Sequence, residues 1–169
     1  MKYDFRKIIA LPEDRSKKNS YEAAEKKMKV VFPQDYKEWI DSYGGGAING
    51  FLWILSPFSD NPYLNMIDSF ADMRSAYSRM KSDFPEYFKK YTFYNGKRGL
   101  FPWGASDNGD EFYWNIQDGD EEIVVCASGY AEMISYKMSM EEFLFKLLSK
   151  EIECSVFPED FFVTENYYK

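Results

Sequence analysis

The sequence predicts an α+β domain with a mostly antiparallel sheet, and three observations carry that prediction. Helical periodicity sits at both ends of the chain with strand-like runs between them. Two of those runs meet at Asp118-Gly119, a pair suited to a two-residue type I′ turn because both central positions need positive φ. Strands and helices do not alternate in the βαβ manner that a parallel sheet requires. With 169 residues and no repeat, low-complexity tract or long linker, one domain is expected over residues 1–169.

The first helix is expected from Asn19, a candidate N-cap with Glu22 three residues on, to Lys29, with Tyr21, Ala24, Glu25 and Met28 on one face. In the second, Pro33 suits the first helical position, and Tyr36, Trp39, Ile40 and Tyr43 recur at i, i+3, i+4 and i+7. Gly44-Gly45-Gly46 ends it, since glycine takes the left-handed conformation without a Cβ clash. Phe51 to Leu55 is an expected buried strand between Asn49-Gly50 and Pro57. A third helix spans Met66 to Lys81 with Asn65 as its cap, and Asp83 to Tyr94 holds a short helix after Pro85 before an Asn95-Gly96 turn. Leu100 to Trp103, Glu111 to Gln117 and Glu121 to Ala127 follow as strands. Within the second of these, Phe112, Trp114 and Ile116 alternate with Glu111, Tyr113, Asn115 and Gln117, the pattern of a sheet buried on one face. A further strand covers Met133 to Tyr136, and Ser139 with Glu142 opens a last helix whose stripe is Phe143, Leu144, Leu147 and Leu148. After Cys154 the tail carries Val156, Phe157, Phe161, Phe162 and Val163, apolar enough to pack back on the domain.

Composition narrows the chemistry. With no histidine, a Ser-His-Asp or Cys-His nucleophilic site, an imidazole shuttle and a His-containing zinc site are excluded. Cys126 and Cys154 lack CxxC spacing and are expected as reduced, half-buried thiols, so neither a metal nor a cofactor is expected. No apolar run approaches the ~20 residues that cross a bilayer, and the amino terminus interleaves charge with apolar residues without an h-region, so neither a membrane partner nor a secretory signal is expected, and a cytoplasmic location is. The net charge of −7 is unevenly spread: Met1 to Arg98 carries 17 basic and 13 acidic side chains, whereas Gly99 to Tyr136 carries eight acidic ones and no Lys or Arg. Phosphate contacts need Lys and Arg, so direct nucleic-acid binding is not expected and a basic protein partner is.

Gly44-Gly45-Gly46 follows a helix and lacks the GK[ST] of a phosphate-binding loop, which leaves a helix stop. Asp107-Asn108-Gly109-Asp110-Glu111 fails the spacing of a calcium loop and suits a turn, with partner contact as the alternative and metal binding or acid–base catalysis behind it. Singly, Asp118, Asp120, Glu121 and Glu122 belong to a solvated hairpin tip; together they make a negative patch able to steer a basic partner. Trp103, Trp114 and Tyr43 sit at core spacings, while Tyr113 faces the other side of its strand and is the better surface candidate. The candidate partner-binding residues are therefore Asp107, Asp110, Glu111, Tyr113, Asp118, Asp120, Glu121 and Glu122, with no catalytic residue assigned.

Two stretches, and more loosely a third, resemble the SUKH superfamily, which groups fungal Smi/Knr cell-wall-synthesis regulators with many bacterial immunity proteins. Phe32 to Phe51, FPQDYKEWIDSYGGGAINGF, is similar to the family's LPxxYKxFLxxYGGGxIxGF, with Phe32 for Leu and Trp39 for Phe. Leu100 to Trp114 resembles its strand-turn-strand around DNGD, and Ser139 to Leu148 its closing helix, so the likeness covers about Tyr21 to Lys150. The resemblance implies a curved central sheet flanked by helices, leaving residues 151–169 as an extension packed on the domain. It also implies a non-enzymatic protein that binds and neutralises a cognate toxin, for which the acidic balance favours a basic nuclease. The alternative is a regulatory or scaffold module that binds several host proteins; a carboxylate-dependent hydrolase using Asp107 and Asp110 stands third. A monomer or weak homodimer is expected.

Overall fold

The computed structural model describes residues 2–12, 19–117, 121–129, 132–162 and 165–169. After a 3-10 turn at Phe5–Lys7 come α1 (Glu22–Met28), α2 (Gln34–Tyr43), β1 (Gly46–Ile48), β2 (Leu52–Ile54), α3 (Met66–Asp83), β3 (Gly99–Ser106), β4 (Glu111–Ile116), β5 (Ile123–Ala127), β6 (Glu132–Tyr136) and α4 (Met140–Leu148), with a second 3-10 turn at Glu159–Phe161. The strands form one open antiparallel sheet in the order β1-β2-β3-β4-β5-β6, each paired with its neighbours in sequence. This is the expected α+β class with helices flanking a central sheet.

Local chemistry sets the helix ends. Asn65 caps α3 by accepting from the Ile67 and Asp68 N–H groups at 2.9 and 3.3 Å. Ser139 caps α4 through the Glu142 N–H at 3.2 Å, while the Glu142 carboxylate turns to Lys146 at 2.7 Å and leaves the capping box half made. Pro33 occupies the cap position of α2 and not its first turn. Asn19 does not cap α1: its backbone and side-chain N–H groups both donate to Asp41 of α2 at 3.1 Å, which holds it against that helix, and Tyr21 takes the cap position without a side-chain bond. The short helix expected after Pro85 is replaced by irregular turns. Too short to nucleate alone, that segment is shaped by tertiary contacts such as the Tyr77 hydroxyl donating to the Tyr91 carbonyl at 2.9 Å.

Both faces of the sheet are covered. On one, Tyr36, Trp39 and Ile40 of α2 and Phe143, Leu144 and Leu147 of α4 pack with Phe101, Trp103, Phe112 and Trp114. On the other, Tyr77 of α3 with Phe88 and Tyr91 covers Leu100, Tyr113, Val124 and Cys126. The alternation in β4 therefore does not mark a solvated face, and Glu111 and Tyr113 lie under this second layer.

β1 escaped the sequence reading because its glycines pass for a helix stop alone. Gly44, at φ +80, does end α2. Gly46 instead begins a strand, and a Cβ there would collide with the Lys169 carbonyl. The Ala47 N–H donates to the Lys169 carbonyl at 2.8 Å, Lys169 returns a bond to Ala47 at 3.1 Å, and the Asn49 N–H donates to the Tyr167 carbonyl at 2.9 Å. The Tyr168 ring packs edge-on against Trp39 and Tyr43. The carboxyl-terminal residues thus pair along the outer edge of β1.

Candidate protein-binding surface

Of the eight candidate residues, four are buried and spend their polar groups within the chain. Asp110 accepts from the Ser106 hydroxyl at 2.5 Å and from the Ser128 N–H at 2.9 Å, tying the β3–β4 turn to the end of β5. Glu111 accepts from the Tyr113 hydroxyl, and burial pushes its carboxyl up to about 7. Tyr113 itself has no exposed surface, its ring lying edge-on to Tyr77 and Phe93, which corrects its expected place on the outside. Glu122 is buried beside the Asn115 amide at 2.5 Å, the Tyr91 hydroxyl at 3.3 Å and Lys90 at 3.4 Å. Burial raises its carboxyl, but these donors and the lysine outweigh it and hold the group below the usual range. At 8% exposure or less, the four offer little surface to a partner.

Asp107 and Glu121 are exposed. Asp107 accepts from the Trp53 indole N–H at 2.6 Å, and Gly109, at φ +83, completes the turn expected for this segment. Asp118 and Asp120 lie outside the described residues. The candidates do not share one face: Asp107 and Asp110 precede β4 while Glu121 and Glu122 follow it, and six strand residues separate the two groups by about 20 Å.

Glu121 gathers companions that the sequence did not point to. Partial burial, then the negative charges of Asp35 and Glu142, push its carboxyl above the ordinary value. Asp35 lies in the first turn of α2, where it accepts from the Tyr36 N–H at 2.8 Å and, across to α4, from the Glu141 N–H at 2.9 Å. Glu142 lies in the first turn of α4. Their helix-terminal positions account for both acids locally, which hid their convergence on the hairpin. Glu121 borders a cavity of about 130 Å³ that Pro33, Trp114, Met138 and Met140 also line.

A family model described as SMI1-KNR4 cell-wall (SUKH_6) matches residues 18–144. The chain belongs to the SMI1-KNR4 family. The SMI1-KNR4 span takes in α1 to β6 and the opening of α4, so it contains the Glu121 cluster but not the carboxyl-terminal residues that close the β1 edge. No curated protein and no solved structure matches the chain. SMI1-KNR4 membership supports a protein-binding role of the immunity or regulatory kind.

Cys126 and Cys154 are buried free thiols, and burial pushes Cys126 up to about 12, far from a reactive thiolate. Among the described residues, no group of three or more His, Cys, Asp or Glu side chains could hold a metal ion, and no helix is long and apolar enough to cross a membrane.

Proposed function

We propose that this SMI1-KNR4 protein is a non-enzymatic, cytoplasmic immunity protein that binds and neutralises a cognate toxin, a basic nuclease or similar, through an anionic surface centred on Glu121. The observation that carries the reading is the meeting of three segments at one end of the sheet: Asp35 of α2 accepts from the Glu141 N–H at 2.9 Å, Glu142 is the next residue of α4, and Glu121 lines a cavity with Pro33 and Met140. Glu142 already pairs with Lys146, whereas Glu121 and Asp35 have no ion-pair partner among the described residues, and a cation brought by a partner relieves the repulsion between them. In the sequence Asp118 and Asp120 lie within three residues of Glu121. A toxin that handles nucleic acid carries a cationic surface for its own substrate, so an anionic protein can occupy it.

The test is co-expression with the toxin encoded by the neighbouring reading frame, followed by stopped-flow association of the purified pair. Protection is expected, and Glu121→Lys is expected to slow association roughly tenfold at low salt with little change in dissociation. Absence of protection, with capture of several host proteins in its place, would move the assignment to the regulatory module, which the cell-wall description of the family favours.

A further inference from the structure

Among the described residues, nothing pairs with the outer edge of β6. The phase of the sheet fixes which of its peptide groups are open. The Asn115 N–H donates to the Glu122 carbonyl at 2.9 Å, which makes these two a hydrogen-bonded pair, and the same phase continues at Tyr113/Val124 and Glu111/Cys126. Ile123, Val125 and Ala127 must then bond toward β6, at Tyr136, Ile134 and Glu132. The peptide groups of Met133 and Ser135 are left pointing outward, and Ser135 is exposed.

Beside this edge runs a groove of about 620 Å³ between β6 and the segment that follows α4. Its apolar lining includes Ile134, Phe157 and Phe162, and its charged lining is Glu132, Glu153 and Glu159, all three exposed. The Tyr136 hydroxyl donates to the Glu153 carbonyl at 2.8 Å and fixes the two walls together. Among the described residues no Lys or Arg lines the groove; Lys150 lies beside it, its Nζ 5.6 Å from the Phe162 ring centre. Among the described residues none of the three carboxylates has an ion-pair partner.

We propose that the open edge of β6 and the adjoining groove dock an extended, basic segment of a partner protein, which adds to the sheet as a further strand. Outward peptide groups supply the backbone pairing, and alternate side chains of the added strand enter the groove. Lys or Arg fits there: the aliphatic stem lies along Phe157 and Phe162 while the head reaches a glutamate. A second copy of this chain fits poorly, because each copy carries a net charge of −7 and would bring its own three carboxylates to the groove. The proposal deepens the protein-binding reading above and rests on it, but it names a different surface.

The test uses the full ¹⁵N-labelled chain and an end-capped peptide of about seven residues alternating Lys and Val. Titration is expected to shift the Met133 and Ser135 amide signals and slow their hydrogen exchange, while a peptide with Glu in place of Lys leaves both unchanged. Ser135→Pro removes one outward N–H and is expected to weaken the Lys peptide roughly tenfold, as is the double change Glu153→Lys with Glu159→Lys, which keeps the edge intact should the proline variant fail to fold. Equal binding of the Glu peptide, unchanged binding by the variants, or no binding at millimolar peptide overturns the proposal. Protection of the Met133 and Ser135 amides in a free protein of dimeric mass overturns it in favour of self-pairing. Toxin protection that survives both sets of substitutions removes this docking site and leaves the immunity reading standing; peptide docking without toxin protection does the reverse.

Discussion

The sheet has two outer strands, β1 and β6, and the chain treats them oppositely. β1 is three residues long and begins with a glycine, features that weaken a strand, yet its outer side is paired by residues 167–169. β6 has five residues, well-aligned pairing to β5 over its whole length, and nothing among the described residues on its other side. The weaker strand is secured and the stronger one is left open. Unpaired strand edges invite association, and proteins usually blunt them. Here Glu132 and exposed Ser135 make the β6 edge polar without covering it. The difference separates two kinds of structure: an edge closed because the fold needs it closed, and an edge that the fold does not need.

The largest test of that distinction is truncation. Removing residues 165–169 loses the three backbone bonds to β1 and the packing of Tyr168 on Trp39 and Tyr43, for an expected loss of about 4 kcal/mol in urea unfolding. A loss under about 1 kcal/mol would mean that β1 stands without its cover. Next come two proline substitutions on β6. Ile134→Pro removes a ladder bond to β5 and is expected to cost about 3 kcal/mol, whereas Ser135→Pro, whose N–H faces outward, is expected to cost less than about 1 kcal/mol. Equal costs would show that the outer side of β6 is in use within the folded chain.

The strand at the middle of the sheet supplies a reference that neither edge should affect. Glu111, buried under Tyr113 and raised by burial to about 7, keeps its proton in the folded state over a range where the unfolded chain, near 4.5, has lost it. The folded form therefore binds more protons there, so stability is full below about pH 4.5 and falls as pH rises toward 7, by roughly 3 kcal/mol. Glu111→Gln is expected to flatten that slope in urea titrations at several pH values. Hydrogen exchange should follow the same slope in β4 while the contrast between the Ala47 and Ser135 amides persists.

How much of this was legible in the sequence depends on the range of the interactions. α2, α3, α4 and the β4–β5 strands follow from contacts within about one or two turns, such as the Asn65 and Ser139 caps and the Tyr36-Trp39-Ile40-Tyr43 stripe. β1 did not, because its glycines read as a helix stop and the residues that close its outer edge, at Lys169, are more than 100 residues away. Asn19 satisfied the local rule for a cap and was taken instead by Asp41 from another helix. The acidic segment misled for a related reason. Alternation in β4 assigned Glu111 and Tyr113 to solvent, but α3 and the Phe88–Tyr91 region cover that face, and Glu111, like Asp110 and Glu122, is buried among groups of its own chain. Asp107 and Glu121 stay exposed, and the companions of Glu121, Asp35 and Glu142, were not legible because three distant segments bring them together.

The smallest expected effects compare single polar groups at the two edges. The Tyr168 hydroxyl donates to the Gly44 carbonyl at 2.9 Å, across the junction of α2 with β1, and Tyr168→Phe keeps the ring while deleting that bond. A cost of about 1 kcal/mol is expected, because the Gly44 carbonyl loses its donor in a place that packing keeps partly from water. Glu132 at the open edge is exposed, and Glu132→Gln is expected to change stability by less than about 0.5 kcal/mol. Peptide binding inverts the order if the edges differ as argued: Glu132→Gln weakens a cationic strand's hold on the groove, while Tyr168→Phe, on the far side of the sheet, leaves it unchanged. A substitution silent in unfolding yet visible in binding marks a residue kept for a partner, and Glu132 is where that separation should be cleanest.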